Sequence, residues 1–175
     1  STISQMGYIL FGIGVGNSLG LSGSLFHIFN HGVSKALLFL CAGAVIYKTG
    51  YHDMRKMGGL LRKMPVTAGC FLIGALSLAA IPPLNAFTSE VLILEGAAKA
   101  GYLALTFLAN IMTVVTLAYM LLIVKKVFFG ALPNELSNVR EVPYSFLIPM
   151  VALAFIIILL GVFPGLLLEP ISKMW

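Results

Sequence analysis

His27, His31 and Lys35 recur every fourth residue inside an otherwise apolar stretch, Leu21–Lys48. On an α-helix this spacing puts all three on one face, as a polar stripe about 12 Å long. Their shared chemistry is that of the proton: imidazole titrates near neutrality, and a desolvated lysine releases its proton readily. A charge at the centre of a bilayer costs roughly 2.5–3.5 kcal/mol even by lenient insertion measurements, so such groups are kept where they face protein or a water-filled cavity. Neighbours roughly 6 Å apart along a helix need water or rotamer motion to pass a proton, and Asn30 and Ser34 are expected to help hold that water. Either histidine alone reads as a structural residue hydrogen-bonded between helices; the three together read as a relay. The HxxxH spacing lacks the glutamate of HExxH and a third ligand, so no metal site is assigned.

Glu90 is the second candidate. It lies just beyond Ile81-Pro82-Pro83-Leu84-Asn85, amid Asn85, Thr88 and Ser89. Pro82 and Pro83 donate no N–H, so the carbonyls of Leu78 and Ala79 lose their helical partners and a helix must break there. Freed carbonyls at membrane depth are tolerated where they line a cavity or are buried in protein. Glu90 can then be a buried carboxylate paired with a lysine, a first-turn charge at a half-helix N-terminus, or a proton acceptor balanced between those effects. Glu95, four residues before Lys99, reads as a surface i, i+4 pair.

The elements that must carry these residues are membrane helices. Of the 175 residues 59% are hydrophobic and only 10% charged, with a mean hydropathy of +1.02, whereas soluble domains carry roughly 25% charged residues. The expected fold is all-α and polytopic, one membrane domain over 1–175 with spans near 2–19, 21–48, 65–100, 102–129 and 144–168. The third is broken at Pro82-Pro83. Gly12 and Gly16 in the first span predict close helix packing. In the fourth, Asn110, Thr113 and Thr116 predict helix–helix hydrogen bonds, and Lys125 and Lys126 read as interfacial anchors. Lys48, Arg55, Lys56, Arg62, Lys63, Lys125, Lys126 and Arg140 fall on one side of this topology, against Lys99 and Lys173 on the other. That bias puts the larger set in the cytoplasm. Glu169, Lys173 and Trp175 mark the far interface.

The same distribution argues against nucleic acid as the partner of a chain with formal net charge +5, since the basic residues sit in loops between apolar spans. The partner expected first is the lipid bilayer. Cys41 and Cys70 lie inside spans and form no CxxC cluster, so no disulfide framework, iron–sulfur site or other cofactor is expected in this chain. No signal-peptide pattern stands at Ser1, and the chain is expected to continue upstream.

Taken in order, Ser4-Gln5-Met6-Gly7-Tyr8, Leu25-Phe26-His27, His31-Gly32-Val33-Ser34-Lys35-Ala36-Leu37-Leu38-Phe39-Leu40, Gly58-Gly59-Leu60, Met64-Pro65 and Ile81-Pro82-Pro83-Leu84-Asn85-Ala86-Phe87-Thr88-Ser89-Glu90 resemble the antiporter-like membrane subunits. These are shared by proton-pumping NADH–quinone oxidoreductase (complex I), membrane-bound hydrogenases and Mrp-type Na⁺/H⁺ antiporters. The resemblance implies that Lys35 matches the lysine on the long helix of the second half-channel, with His27 and His31 on its polar track. Glu90 matches the ionisable position of the broken helix, and Ala86 stands where family members usually have Gly.

Such subunits have about fourteen helices built on inverted repeats, and this chain corresponds to the last five. Either it is part of a longer subunit, or a split subunit supplies one half-channel. The resemblance implies H⁺ translocation or Na⁺/H⁺ exchange, carried out beside other antiporter-like subunits. Hydrophilic redox subunits with iron–sulfur clusters or other redox centres would be further partners in an oxidoreductase complex. The implied location is the plasma membrane of a prokaryote or another energy-transducing membrane. The alternative is a non-conducting structural module that scaffolds neighbouring antiporter-like subunits. A quinone-binding enzyme finds no residue set to support it.

Overall fold

Asn17 starts the helix on which the rest of the chain packs. Its side chain accepts from the Gly20 N–H (2.8 Å) and donates to the Gly96 carbonyl (2.7 Å), so one residue both caps a helix and ties it to a neighbour. The computed structural model describes residues 1–173, and these are helical without strands: α1 (Thr2–Val15), α2 (Ser18–Thr49), α3 (Pro65–Leu78), α4 (Asn85–Lys99), α5 (Leu103–Phe128), α6 (Tyr144–Val162) and α7 (Gly165–Ser172). Short 3₁₀ turns cover Met54–Lys56, Leu60–Arg62 and Asn134–Leu136. Trp175, expected at the far interface, lies outside the described residues.

Helix α2 is central, with α1, α3, α4 and α6 against it. Its length follows from its ends: the Asn17 cap opens it, and Gly50 in the left-handed region (φ 72°) closes it. Three helices, α2, α5 and α6, are long and apolar enough to cross a membrane, while α1 and α3 are shorter apolar helices. The first expected span ends four residues early, because Gly16 (φ 71°) is a left-handed cap and not a packing glycine. Gly12 does pack closely, since a Cβ there would meet Ser24 Oγ and the Gly20 carbonyl. Between α3 and α4, residues 79–84 are non-helical, and Ala80 takes φ 50°. The expected span to residue 168 likewise divides, into α6 and α7, at Pro164, which donates no N–H.

Two loops meet at one end of the bundle and bring the basic residues together. Gly59 N–H donates to the Phe129 carbonyl (3.1 Å), Lys63 Nζ to Ser137 O (2.6 Å) and the Tyr51 hydroxyl to Glu135 (2.5 Å). Glu141 caps α3 by accepting from Val66 N–H (2.9 Å), Thr67 N–H (3.2 Å) and Thr67 Oγ1 (2.6 Å). The Glu135 hydrogen bond pushes the Tyr51 phenol up, and hydrogen bonds from Arg55 hold Asp53 below the usual carboxylate range. Below this end the core is apolar, built from Leu37, Cys41, Leu60, Phe71, Phe128 and Met150. Cys41 and Cys70 are buried free thiols. On the far side of the break α6 approaches without a gap, because a Cβ on Gly161 would run into the Pro83 carbonyl and the Leu84 backbone.

Candidate functional site

Polar groups from α1, α2, α4 and α5 converge beside the α3–α4 break. His27 is 1% exposed, and each ring nitrogen meets an oxygen: Nδ1 lies 2.9 Å from Ser89 Oγ, and Nε2 lies 2.5 Å from Gln5 Oε1. The Gln5 amide nitrogen donates to the Leu78 carbonyl (3.3 Å). One of the two carbonyls that the prolines should free is therefore met by a side chain from α1. Gln5 also approaches the Glu90 carboxyl without completing a hydrogen bond.

Glu90 is 3% exposed. Its Oε2 accepts from Thr113 Oγ1 (2.9 Å), and that hydroxyl lies 2.8 Å from the Tyr8 hydroxyl; Oε1 is buried without a partner. The ion pairs among the described residues are Arg55–Asp53 (3.1 Å) and Lys99–Glu95 (2.7 Å). The surface pair is thus where the sequence puts it, but Glu90 is not paired with a lysine. Nor is it a first-turn charge: α4 begins at Asn85, so Glu90 lies in the second turn, beyond the reach of the helix terminus. The geometry is thus that of a buried carboxyl held by one hydroxyl, neither paired with a lysine nor placed at the helix terminus.

The stripe on α2 is continuous but not uniform. The rings of His27 and His31 stack at 6.4 Å between centroids, close to the expected spacing of one turn. His31 is 5% exposed, and neither of its ring nitrogens has a hydrogen-bond partner. Lys35, half-buried, points away from Glu90: its ammonium reaches Ser1 Oγ (2.5 Å) and the Phe39 ring, at the rim of an apolar groove of about 280 Å³ that continues to His52, Met54 and Phe128. Gln5 therefore joins His27 to the Leu78 carbonyl at the break, and Lys35 stands apart from both.

Asn30 and Ser34 hold protein, where the sequence led us to expect water. Asn30 Nδ2 donates to the Asn85 carbonyl (3.0 Å) and to Ser89 Oγ (3.2 Å), while Asn85 Nδ2 returns a bond to Asn30 Oδ1 (3.1 Å). Ser34 Oγ pairs with Ser77 Oγ (2.7 Å), which donates to Asn85 Oδ1 (2.6 Å). These contacts lock α2 to both sides of the break. Gln5 and Tyr8 were not singled out by sequence reasoning: each is an uncharged polar residue in an apolar helix, and only its neighbours give it a role. Among the described residues no three His, Cys, Asp or Glu side chains converge where a metal ion could be held.

Residues 1–129 match the family described as NADH:quinone oxidoreductase/Mrp antiporter, TM. The chain is 30% identical to NADH-quinone oxidoreductase subunit N of Desulforudis audaxviator (strain MP104C), across 93% of this chain and 35% of the relative. With Na(+)/H(+) antiporter subunit A1 of Staphylococcus haemolyticus (strain JCSC1435) it shares 33% identity, across 99% of this chain and 25% of the relative. A subunit in the structure of the membrane-bound sulfane sulfur reductase (MBS), an archaeal respiratory membrane complex, superposes with a TM-score of 0.94 at 35% identity, covering 99% of this chain and 29% of that one. The chain thus spans about a quarter to a third of the length of the relatives it matches. With a match over 1–129 of 175 residues and a shared all-helical membrane fold, the chain belongs to the NADH:quinone oxidoreductase/Mrp antiporter membrane family.

Proposed function

We propose that this chain supplies one half-channel for H⁺, or for Na⁺/H⁺ exchange, within a larger membrane complex. Five crossings carry it: α1, α2, the pair α3 and α4 as one broken span, α5, and α6. The observation that supports conduction over packing is the pattern of unsatisfied groups. Buried polar atoms in proteins are nearly all hydrogen-bonded, yet among the described residues both ring nitrogens of His31, Oε1 of Glu90 and the Tyr119 hydroxyl meet no protein partner. A purely structural network satisfies itself, as Asn30, Ser34, Ser77 and Asn85 do here. Groups that exchange protons with water and with one another need a free lone pair. The partners proposed are other antiporter-like membrane subunits and, in an oxidoreductase complex, hydrophilic subunits carrying the redox centres. The membrane is the plasma membrane of a prokaryote or another energy-transducing membrane.

The scaffold reading rests on that satisfied network, and one comparison separates the two. Lys35→Ala keeps a good helix former at a half-buried position, so the complex should assemble in near-normal amount while ion transport per assembled complex falls. Lys35→Arg should fail similarly, since guanidinium does not release its proton. Normal transport by assembled Lys35→Ala would remove Lys35 from the path.

A further inference from the structure

The polar side chains of α5 show what a hydroxyl or amide does by default on an apolar helix. Thr106 Oγ1 donates to the Tyr102 carbonyl (3.0 Å), Asn110 Nδ2 to the Thr106 carbonyl (3.1 Å) and Thr116 Oγ1 to the Met112 carbonyl (3.0 Å). Each turns back on the carbonyl four residues earlier in its own helix. The sequence reads Asn110, Thr113 and Thr116 alike as groups that bond between helices, yet only Thr113 does so among the described residues: its hydroxyl leaves α5 and donates to Glu90 Oε2 on α4 (2.9 Å). The carbonyl four residues before Thr113 is that of Ala109, and the Tyr8 hydroxyl of α1 already donates to it (2.5 Å). Tyr8 also stands 2.8 Å from Thr113 Oγ1. Its single hydrogen therefore has two acceptors, and both orientations act in one direction. Aimed at Ala109, it fills the lone pair that the helix N–H leaves free; aimed at Thr113, it fills a lone pair of that hydroxyl and turns the Thr113 hydrogen outward. In either case Glu90 is the acceptor left for Thr113.

We propose that Tyr8 is a positioning residue for Glu90 that acts through Thr113: by taking the Ala109 carbonyl it releases the Thr113 hydroxyl to hold Glu90 Oε2. The proposal rests on the reading of Glu90 as a group that exchanges protons. Among the described residues the bond from Thr113 is the one hydrogen bond that the Glu90 carboxyl accepts. At 3% exposure there is no bulk water to replace it. With Oε2 held, the carboxyl cannot turn freely, and Oε1, which has no partner, is the oxygen that takes up and gives off the proton. The arrangement also accounts for the one polar side chain that α5 turns inward between exposed neighbours, Met112, Val114 and Val115. A threonine at 113 without Tyr8 would have its own helix to return to, as Thr106 and Thr116 do.

The test uses the assembled complex in its membrane and two readouts: transport per assembled complex, and the infrared absorption of the Glu90 carboxyl, identified by the signal lost in Glu90→Gln. Tyr8→Phe keeps the ring that lies 6.2 Å from that of His27 and removes only the hydroxyl. Thr113 should then return to the Ala109 carbonyl, and the Glu90 band should shift as its bond is lost. Thr113→Val has nearly the same shape without a hydroxyl. It should shift the band in the same sense and lower transport about tenfold or more, the loss expected of one hydrogen bond to a charged group. Because both variants act on one bond, adding Tyr8→Phe to Thr113→Val should change neither readout further. Thr113→Ser keeps the hydroxyl and should keep both native. An unchanged Glu90 band in assembled Tyr8→Phe overturns the proposal, and so does a double variant whose transport falls by the product of the two single losses. If Tyr8→Phe does not assemble, a native Glu90 band in Thr113→Val overturns it. Glu90→Gln that assembles and transports normally is a different failure, that of the proton-exchange reading, and the band alone then decides the role of Tyr8.

Discussion

Glu90 and Lys35 sit at comparable places in the sequence argument and at different places in the molecule. Both stand out in the sequence because a charge in an apolar helix conflicts with its surroundings. What the sequence could not supply is the partner. Thr113, twenty-three residues away in sequence, holds Glu90, and Lys35 turns toward α1 and an apolar groove. Gln5, Ser89 and Asn85 were harder still: uncharged amides and hydroxyls occur in membrane helices for packing alone, and their roles are decided by which neighbour donates and which accepts. Glu90→Gln tests the carboxylate directly. The amide still accepts from Thr113, so the complex should assemble, while transport should be lost because no proton can be exchanged at that site. Assembled amount and transport per complex, measured in the same membranes, check this; a loss confined to assembly would make Glu90 a structural residue.

That residues 79–84 between α3 and α4 are not helical was readable, because two consecutive residues without N–H stop a helix. The bracing of this segment was not. Side chains of Asn30, Ser34, Asn85 and Ser77 close it from α2, and Gly161 lets α6 lie directly on its backbone. The end of α6 also falls earlier than hydropathy indicates, since Leu166, Leu167 and Leu168 continue the apolar run past Pro164. Gly161→Val places a side chain where the Pro83 carbonyl and Leu84 backbone cannot give way. A destabilisation of about 1–3 kcal/mol is expected from such overpacking, seen as a lowered unfolding temperature of the purified complex. An unfolding temperature equal to that of the native complex would show that α6 does not bear on the break.

For the molecule as a whole, the loops at 50–64 and 129–143 are stitched together by Gly59–Phe129, Lys63–Ser137 and Tyr51–Glu135. They must therefore share one side of the membrane. Cysteines introduced at Arg55 and Asn134 should react with an impermeant label from the cytoplasm, and one at Lys173 from the opposite face; reaction of all three from one side would refute five crossings. The central helix has one more consequence, an electrical one. His27 and Lys35 are separated by about 12 Å along α2, roughly two fifths of a hydrocarbon core about 30 Å thick. With α2 near the membrane normal, a charge moved between them crosses that share of the transmembrane field, worth about 0.9 kcal/mol per 100 mV. His27 instead meets Ser89, the residue before Glu90, across the contact between α2 and α4, so exchange between His27 and Glu90 would cross almost none of it. Transport limited by the stripe should therefore accelerate or slow severalfold when the membrane is polarised by 100 mV, whereas transport limited by the lateral exchange should ignore voltage, and patch-clamp or potassium-diffusion potentials across vesicles distinguish the two.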